Sequence, residues 1–229
     1  MTTISIVYHS LRGRTDRQAQ AIHRGVAAVP GVTAHLLRLT PEQVGPGVRW
    51  SDDDVIEKLK ASDGVIFGSV TLFGTVSAVF KAFLEATFGL WYEQGFKDKF
   101  AGGFTNSSAL NGDKQVTLMM LLTYAAQMGM IWVPMGDHPG ANWTGASKDD
   151  VNRLGAFLGP MAQSDSDVPH EQGPTPGDLV TAERYGERFA RIVRHWKRDG
   201  DYVTERYKDA AATAAFAKAG AKAADLYPV

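Results

Sequence analysis

Thr3–Tyr8 (TISIVY) runs directly into Ser10–Thr15 (SLRGRT), and the reading of that junction decides the fold. The first stretch is short, β-branched and apolar, which predicts a strand. The second breaks it at Gly13. A helical pattern follows, with Ala19, Ile22, Val26 and Val29 on one face, closed by Pro30-Gly31. A strand, a turn and a helix in that order aim free backbone N–H groups and the positive helix end at one point. Gly13 lets the backbone come close, the hydroxyls of Ser10 and Thr15 add donors, and Arg12 and Arg14 add positive charge. Such a turn suits a phosphate monoester. It is neither a Walker A loop, which needs Lys after Gly, nor G-x-G-x-x-G. A turn of Ser, Gly and Thr that merely caps a helix is the competing reading.

Working outward, Val32–Leu39 reads as a second strand, and the Thr40–Ser51 loop leads to a short helix near Asp52–Ala61. Asp52-Asp53-Asp54 fits a helix N-terminus better than a pair of catalytic carboxylates. Gly64–Gly68 (GVIFG) is apolar throughout, as expected for a strand covered on both faces. After a loop at Val70–Thr75 comes a helix with Val76, Val79, Phe80, Phe83 and Leu84 inward. Phe100–Thr105 is a fourth strand, Asn106–Asp113 a polar loop, Gln115–Gln127 a helix and Met130–Pro134 a fifth strand. Gly136–Gly177 is long and irregular, which marks a functional or disordered segment. A last helix spans about Asp178 to Lys197, with Asp178 as N-cap and Leu179, Ala182, Tyr185, Phe189, Ile192, Val193 and Trp196 inward.

This βα alternation predicts a doubly wound parallel sheet of five strands with helices on both faces, for which the order 2-1-3-4-5 is one of the two common solutions. We expect one domain over residues 1–199. Residues 200–229 form an extension whose Asp209–Leu226 stretch is alanine-rich and of high helix propensity.

The 229 residues are 44% hydrophobic and 21% charged, an ordinary globular balance with a formal net charge of −1. No basic excess points to nucleic acid. The absence of cysteine excludes disulfides, thiolate metal sites and Cys nucleophiles. The N-terminus lacks the pattern of a signal peptide, and no apolar run approaches the ~20 residues of a membrane span. We therefore expect a cytoplasmic protein with no membrane partner. His9, His23, His35, His138, His170 and His195 are scattered without ligand spacing, so no metal site is expected. Ser107 and Ser108 lack the G-x-S-x-G elbow of a hydrolase.

Two further loops belong to the same crevice. In a doubly wound sheet, strands one and three flank the switch point where ligands bind. Ser69–Thr75 (SVTLFGT) follows strand three. There Leu72, Phe73 and Gly74 could lie against a flat ring while Thr71 and Thr75 bond its edge, or Leu72 and Phe73 could simply cover the core. Asn106–Asp113 (NSSALNGD) follows strand four. Its Asn106, Ser107, Ser108, Ala109, Leu110 and Asn111 leave amides free for the pyrimidine edge of a flavin, or form a plain polar turn.

The stretches YHSLRGRT, FGSVTLFGTVSAVFKAFLEATFGLWYEQGFKDKFAGGFTNSSALNGDKQ and MGMIWVPMG resemble the WrbA-type flavoproteins, NAD(P)H:quinone oxidoreductases of flavodoxin-like fold, over roughly Ile4 to Lys197. EQGFKDK, TNSSALNGDK and VNRLGAFLGPMAQSD are similar to a bacterial branch called flavodoxin family proteins. The resemblance implies FMN as cofactor, with Ser10, Leu11, Arg12, Gly13, Arg14 and Thr15 on its phosphate. It puts Thr71 to Phe73 along its ring and Asn106 to Asn111 on its pyrimidine side. It also implies NADH or NADPH as reductant, a quinone-like acceptor pocket with Phe73 and Trp91, and assembly as a homo-oligomer, a dimer or tetramer. Val70, Leu72 and Thr75 stand where the family has Pro, Arg and Asn. Met128 replaces a His near the flavin, and Arg12 an aromatic residue, so both are expected at the pocket wall. An electron carrier and a non-catalytic assembly protein are the alternatives.

Overall fold

Eight ladder partners join β1 (Thr2–His9) in parallel to β2 (Val32–Leu39) in the computed structural model of the chain, which describes residues 1–198. The β2 connection carries a small hairpin, β3 (Val44–Gly45) against β4 (Arg49–Trp50). On its other side β1 pairs with β5 (Gly64–Val70), and β5 pairs with β6 (Phe100–Ser107), all parallel. With β7 (Ile131–Trp132) beside β6, the order is β2-β1-β5-β6-β7, the expected doubly wound arrangement. The crossovers are α1 (Arg14–Ala27), α2 (Asp53–Ala61), α3 (Ala78–Ala86) with α4 (Phe88–Tyr92), and α5 (Lys114–Gln127). The last helix is α6 (Pro176–Arg198).

Side chains alternate along a strand, so an apolar run feeds two cores at once. Ile4, Ile6, Tyr8, Ile66 and Phe104 pack on one face with Ile22 and Val26 of α1 and Tyr185 and Phe189 of α6. Val7, Val65, Phe67 and Ala101 pack on the other with Leu59, Phe80, Phe83, Leu118 and Leu121. Both layers hold β1, β5 and β6 rigidly, which fixes the three loops at their carboxyl ends.

Three expectations are corrected. The fifth strand is not continuous. After Val133 donates to the Ala101 carbonyl, the chain leaves the sheet at Pro134, which has no N–H to offer. It returns as β8 (Met161–Gln163), pairing with Thr105–Ser107 along the upper half of β6. Gly159 makes the return possible, because a Cβ there would sit 2.0 Å from the Gly103 carbonyl oxygen. The Gly136–Gly177 stretch is therefore partly sheet. Finally, α6 begins at Pro176 with Thr175 as its cap, the Thr175 hydroxyl accepting from Asp178 N at 3.3 Å. Asp178 is thus released for another task. The 200–229 extension and its alanine-rich stretch lie outside the described residues.

Candidate functional site

The first loop behaves as an amide cradle. Gly13 takes φ 78° as the residue before α1. Ser10 Oγ accepts from Asp16 N at 3.2 Å. The N–H groups of Leu11, Arg12, Gly13, Arg14 and Thr15 find no acceptor among the described residues. They stand at the positive end of a 14-residue helix. Arg12 is exposed with no partner there, while Thr15 is buried. A phosphate monoester, rich in acceptors and negative, fits this set of donors.

Arg14 and Arg17 do not face that cradle. Arg14 donates to the Val168 carbonyl at 2.6 Å, and Arg17 to the Gly173 carbonyl at 2.9 Å and to Glu171. Together they tie down a strap, residues 164–173, that crosses beside the loop. His170 of the strap lies against Gly13, where a Cβ would come within 2.8 Å of its ring. Arg14 Nε is buried without a partner. Nη2 of Arg14 thus holds the strap, while its Nε and its backbone amide remain without acceptors among the described residues.

The second loop is a tight turn. Leu72 N donates to Thr75 O at 3.0 Å and Thr75 N to Leu72 O at 3.1 Å, with Phe73 (φ 48°) and Gly74 (φ 75°) at its tip. Phe73 is fully exposed in the left-handed region, an uncommon place for an aromatic residue. Leu72 beside it is partly exposed. Thr71, expected at the ring edge, is instead an internal brace: its hydroxyl sits 2.7 Å from that of Thr105 and 2.9 Å from that of Thr117.

The third loop is held from within. Lys114, 1% exposed, donates to Ser107 Oγ at 2.9 Å and to the Ala109 and Leu110 carbonyls at 2.8 Å. Burial lowers its pKa to about 8, although Asp178 opposes that shift. Gln163 donates to the Ser108 carbonyl, Ser164 N to the Ser107 carbonyl, and Ser164 Oγ to Asn106 Oδ1. Gln163 N in turn donates to Asp178, which forms a two-pronged, buried ion pair with Arg153 at 2.9 and 2.8 Å. Ser108, Ala109, Leu110 and Asn111 are exposed.

The loops adjoin one another. Thr71 N donates to Asn106 O at 2.9 Å, and His9 Nδ1 lies 2.7 Å from Ser77 Oγ, the cap of α3. His9 is buried rather than at a surface strand end, and burial lowers its pKa. Trp91 in α4 is partly exposed and leans on Phe88 at 5.3 Å. Met128 does not join the loops within one chain. It caps the far end of α5, about 21 Å along the helix axis from Lys114, and is buried in the core beside Met130. A groove lined by Asp137, Arg184, Glu187, Arg188 and Arg191 has a volume of about 360 Å³, but Arg184 is engaged by Asp137, Arg191 by Glu187 and Arg188 by the Pro134 carbonyl. The unpartnered donors lie at the loops instead.

Lys114, Gln163, Arg153 and Asp178 escape a reading of the sequence. The only signals are a lysine at a helix start and charges inside a polar insertion, both ordinary on a surface. Among the described residues no cluster of three His, Cys, Asp or Glu could hold a metal, and no helix is long and apolar enough to cross a membrane.

Comparison with known proteins agrees with this geometry. The chain is 40% identical to flavodoxin FldP of Pseudomonas aeruginosa over 192 residues, 84% of this chain and 97% of that protein. It is 31% identical to an NAD(P)H dehydrogenase (quinone) of Geobacter sulfurreducens over 203 residues, 83% of this chain and 97% of the relative. The crystal structure of a WrbA-like flavodoxin from Agrobacterium tumefaciens superposes with a TM-score of 0.63 at 33% identity, covering 85% of this chain and 99% of the other. With residues 2–143 matching its sequence pattern, the chain belongs to the family described as NADPH-dependent FMN reductase.

Proposed function

We propose that the protein is an FMN-dependent oxidoreductase that uses NADH or NADPH to reduce a quinone-like acceptor. One observation carries this reading: unpartnered amides from Leu11 to Thr15 face the same sheet edge as the exposed Phe73 and the third loop. In it the first loop holds the phosphate through those amides, the hydroxyls of Ser10 and Thr15 and the free guanidinium of Arg12. Leu72, Phe73, Gly74 and Thr75 lie along the ring, and Ser108 to Asn111 along its pyrimidine edge. FMN, when bound, supplies the two-electron hydride chemistry.

The chain's own residues do the rest. Phe73 presents a flat apolar face for stacking an aromatic substrate. The third-loop amides stabilise negative charge at the edge they border. Arg12 attracts the anionic groups of a nicotinamide dinucleotide. Trp91 completes the acceptor pocket when copies assemble. Val116 and Met119 on the outer face of α5 are more than half exposed, while its inner face is buried in the core. A helix apolar on both sides needs a cover, and a second copy supplies it, giving a dimer or tetramer. A cytoplasmic location is part of this reading.

The test is the visible spectrum of the purified protein, then anaerobic NADPH, then benzoquinone. A yellow protein that bleaches and recolours is expected; a colourless protein that takes up no FMN overturns the reading. The likeness to a protein named flavodoxin favours a second reading, an electron carrier. A yellow protein that NADPH and NADH both fail to bleach, but that takes up and passes on single electrons, would decide for it.

A further inference from the structure

Lys114 is buried to 1% exposure at the start of α5, and all three of its contacts lie in the third loop: Ser107 Oγ, Ala109 O and Leu110 O. A buried ammonium is costly unless each proton finds an acceptor, and here each does. The consequence for the loop follows from peptide geometry. In a trans peptide the carbonyl of one residue and the N–H of the next point in opposite directions. Drawing the Ala109 and Leu110 carbonyls inward therefore turns the amides of Leu110 and Asn111 outward. Gln163 and Ser164 do the same for the preceding pair, taking the Ser108 and Ser107 carbonyls and freeing the amides of Ala109 and Ser108. None of these four amides has an acceptor among the described residues. Gly112 permits the tight return, since a Cβ there would lie 2.2 Å from Ser107 Oγ.

We propose that Lys114 is the positioning residue of the third loop, whose buried ammonium turns the loop's amides toward the crevice and adds a positive charge that favours the reduced form of bound flavin. This rests on the FMN reading above. Reduced flavin carries negative charge at its pyrimidine edge, and a positive charge behind an array of donors in a water-poor setting acts on it strongly. The charged groups facing Lys114 are Asp178 and Arg153, which form an ion pair of their own.

The experiment compares the wild-type apoprotein with Lys114→Met and Gln163→Ala. Each is titrated anaerobically with oxidised FMN and with chemically reduced FMN. Lys114→Met is expected to lose about tenfold more affinity for the reduced than for the oxidised form, which lowers the bound two-electron potential by about 30 mV. Gln163→Ala, which frees a carbonyl but keeps the charge, is expected to weaken both forms alike. Equal losses in Lys114→Met, or no loss, overturn the proposal. If circular dichroism shows that Lys114→Met does not fold, the wild type decides. Its preference for reduced FMN should fall as pH rises from 7 to 9.5 through the ionisation of Lys114, and a flat profile overturns the proposal. Failure of the wild type to bind either form would instead refute the FMN assignment itself.

Discussion

The loop after β1 and the loop after β6 both leave a run of amides without acceptors, but they are built by different means. In the first, the cause is local: a helix starts, its opening N–H groups have no carbonyl behind them, and Gly13 accepts the left-handed bend. In the third the cause is distant. A buried ammonium and a strand from the C-terminal third of the chain pull carbonyls away, and the amides are what remains. A locally built donor site survives changes elsewhere in the fold. One built from afar inherits every weakness of its supports.

The largest test of that contrast is Arg153→Met. It leaves Asp178 buried and unpaired beside Gln163, and a broken buried pair costs about 3–5 kcal/mol. Urea unfolding at pH 7 should show that loss. Amide NMR spectra should shift for Ser108 to Asn111 while Leu11 to Thr15 stay in place; equal shifts would mean the two loops are not independent.

The next effect is one of pH. Lys114 ionises at about 8 in the fold and near 10.4 when unfolded. Between those values the unfolded chain binds more protons, so stability rises with pH there. The gain is at most about 3 kcal/mol by the same linkage. Lys114→Met should abolish that rise between pH 8 and 10, as read from unfolding midpoints against the wild type, while the first loop contributes nothing to it.

Gly13→Val strikes the first loop and the strap beside it. A β-branched residue at φ 78° costs about 1–2 kcal/mol, and its Cβ would press on the ring of His170. FMN affinity should fall by about 5- to 30-fold in a fluorescence titration, with the third-loop amides unmoved. Smallest is Phe73→Gly. Removing an aromatic residue from the left-handed region should stabilise the apoprotein by about 1 kcal/mol in thermal unfolding, while turnover with a quinone declines.

The same contrast explains what a reading of the sequence could reach. The apolar runs of β1, β5 and β6 and the amphipathic face of α1 announce themselves by period, so sheet order and loop positions were legible. So was the Ser10–Thr15 turn between β1 and α1, whose elements are contiguous. The split of the edge strand was hidden because Met130–Pro134 looks like a whole strand until Gly159 and β8 fill the second half. Lys114 was hidden because a lysine at a helix start is ordinarily a solvated charge. The tie from Arg14 to the strap was hidden because its carbonyl partners lie 152 and 154 residues away. Thr71 was misjudged because a loop hydroxyl gives no sign that Thr105 and Thr117 will meet it.

The divided edge strand also sets an order of events during synthesis. The strap, β8 and the Arg153–Asp178 pair all follow residue 150, and so does α6, whose Tyr185 and Phe189 close one face of β1, β5 and β6. A chain emerging from the ribosome therefore lacks both the cover of its sheet and the far wall of the crevice until the last quarter of translation. The nascent protein should gain its crevice in one late step rather than loop by loop.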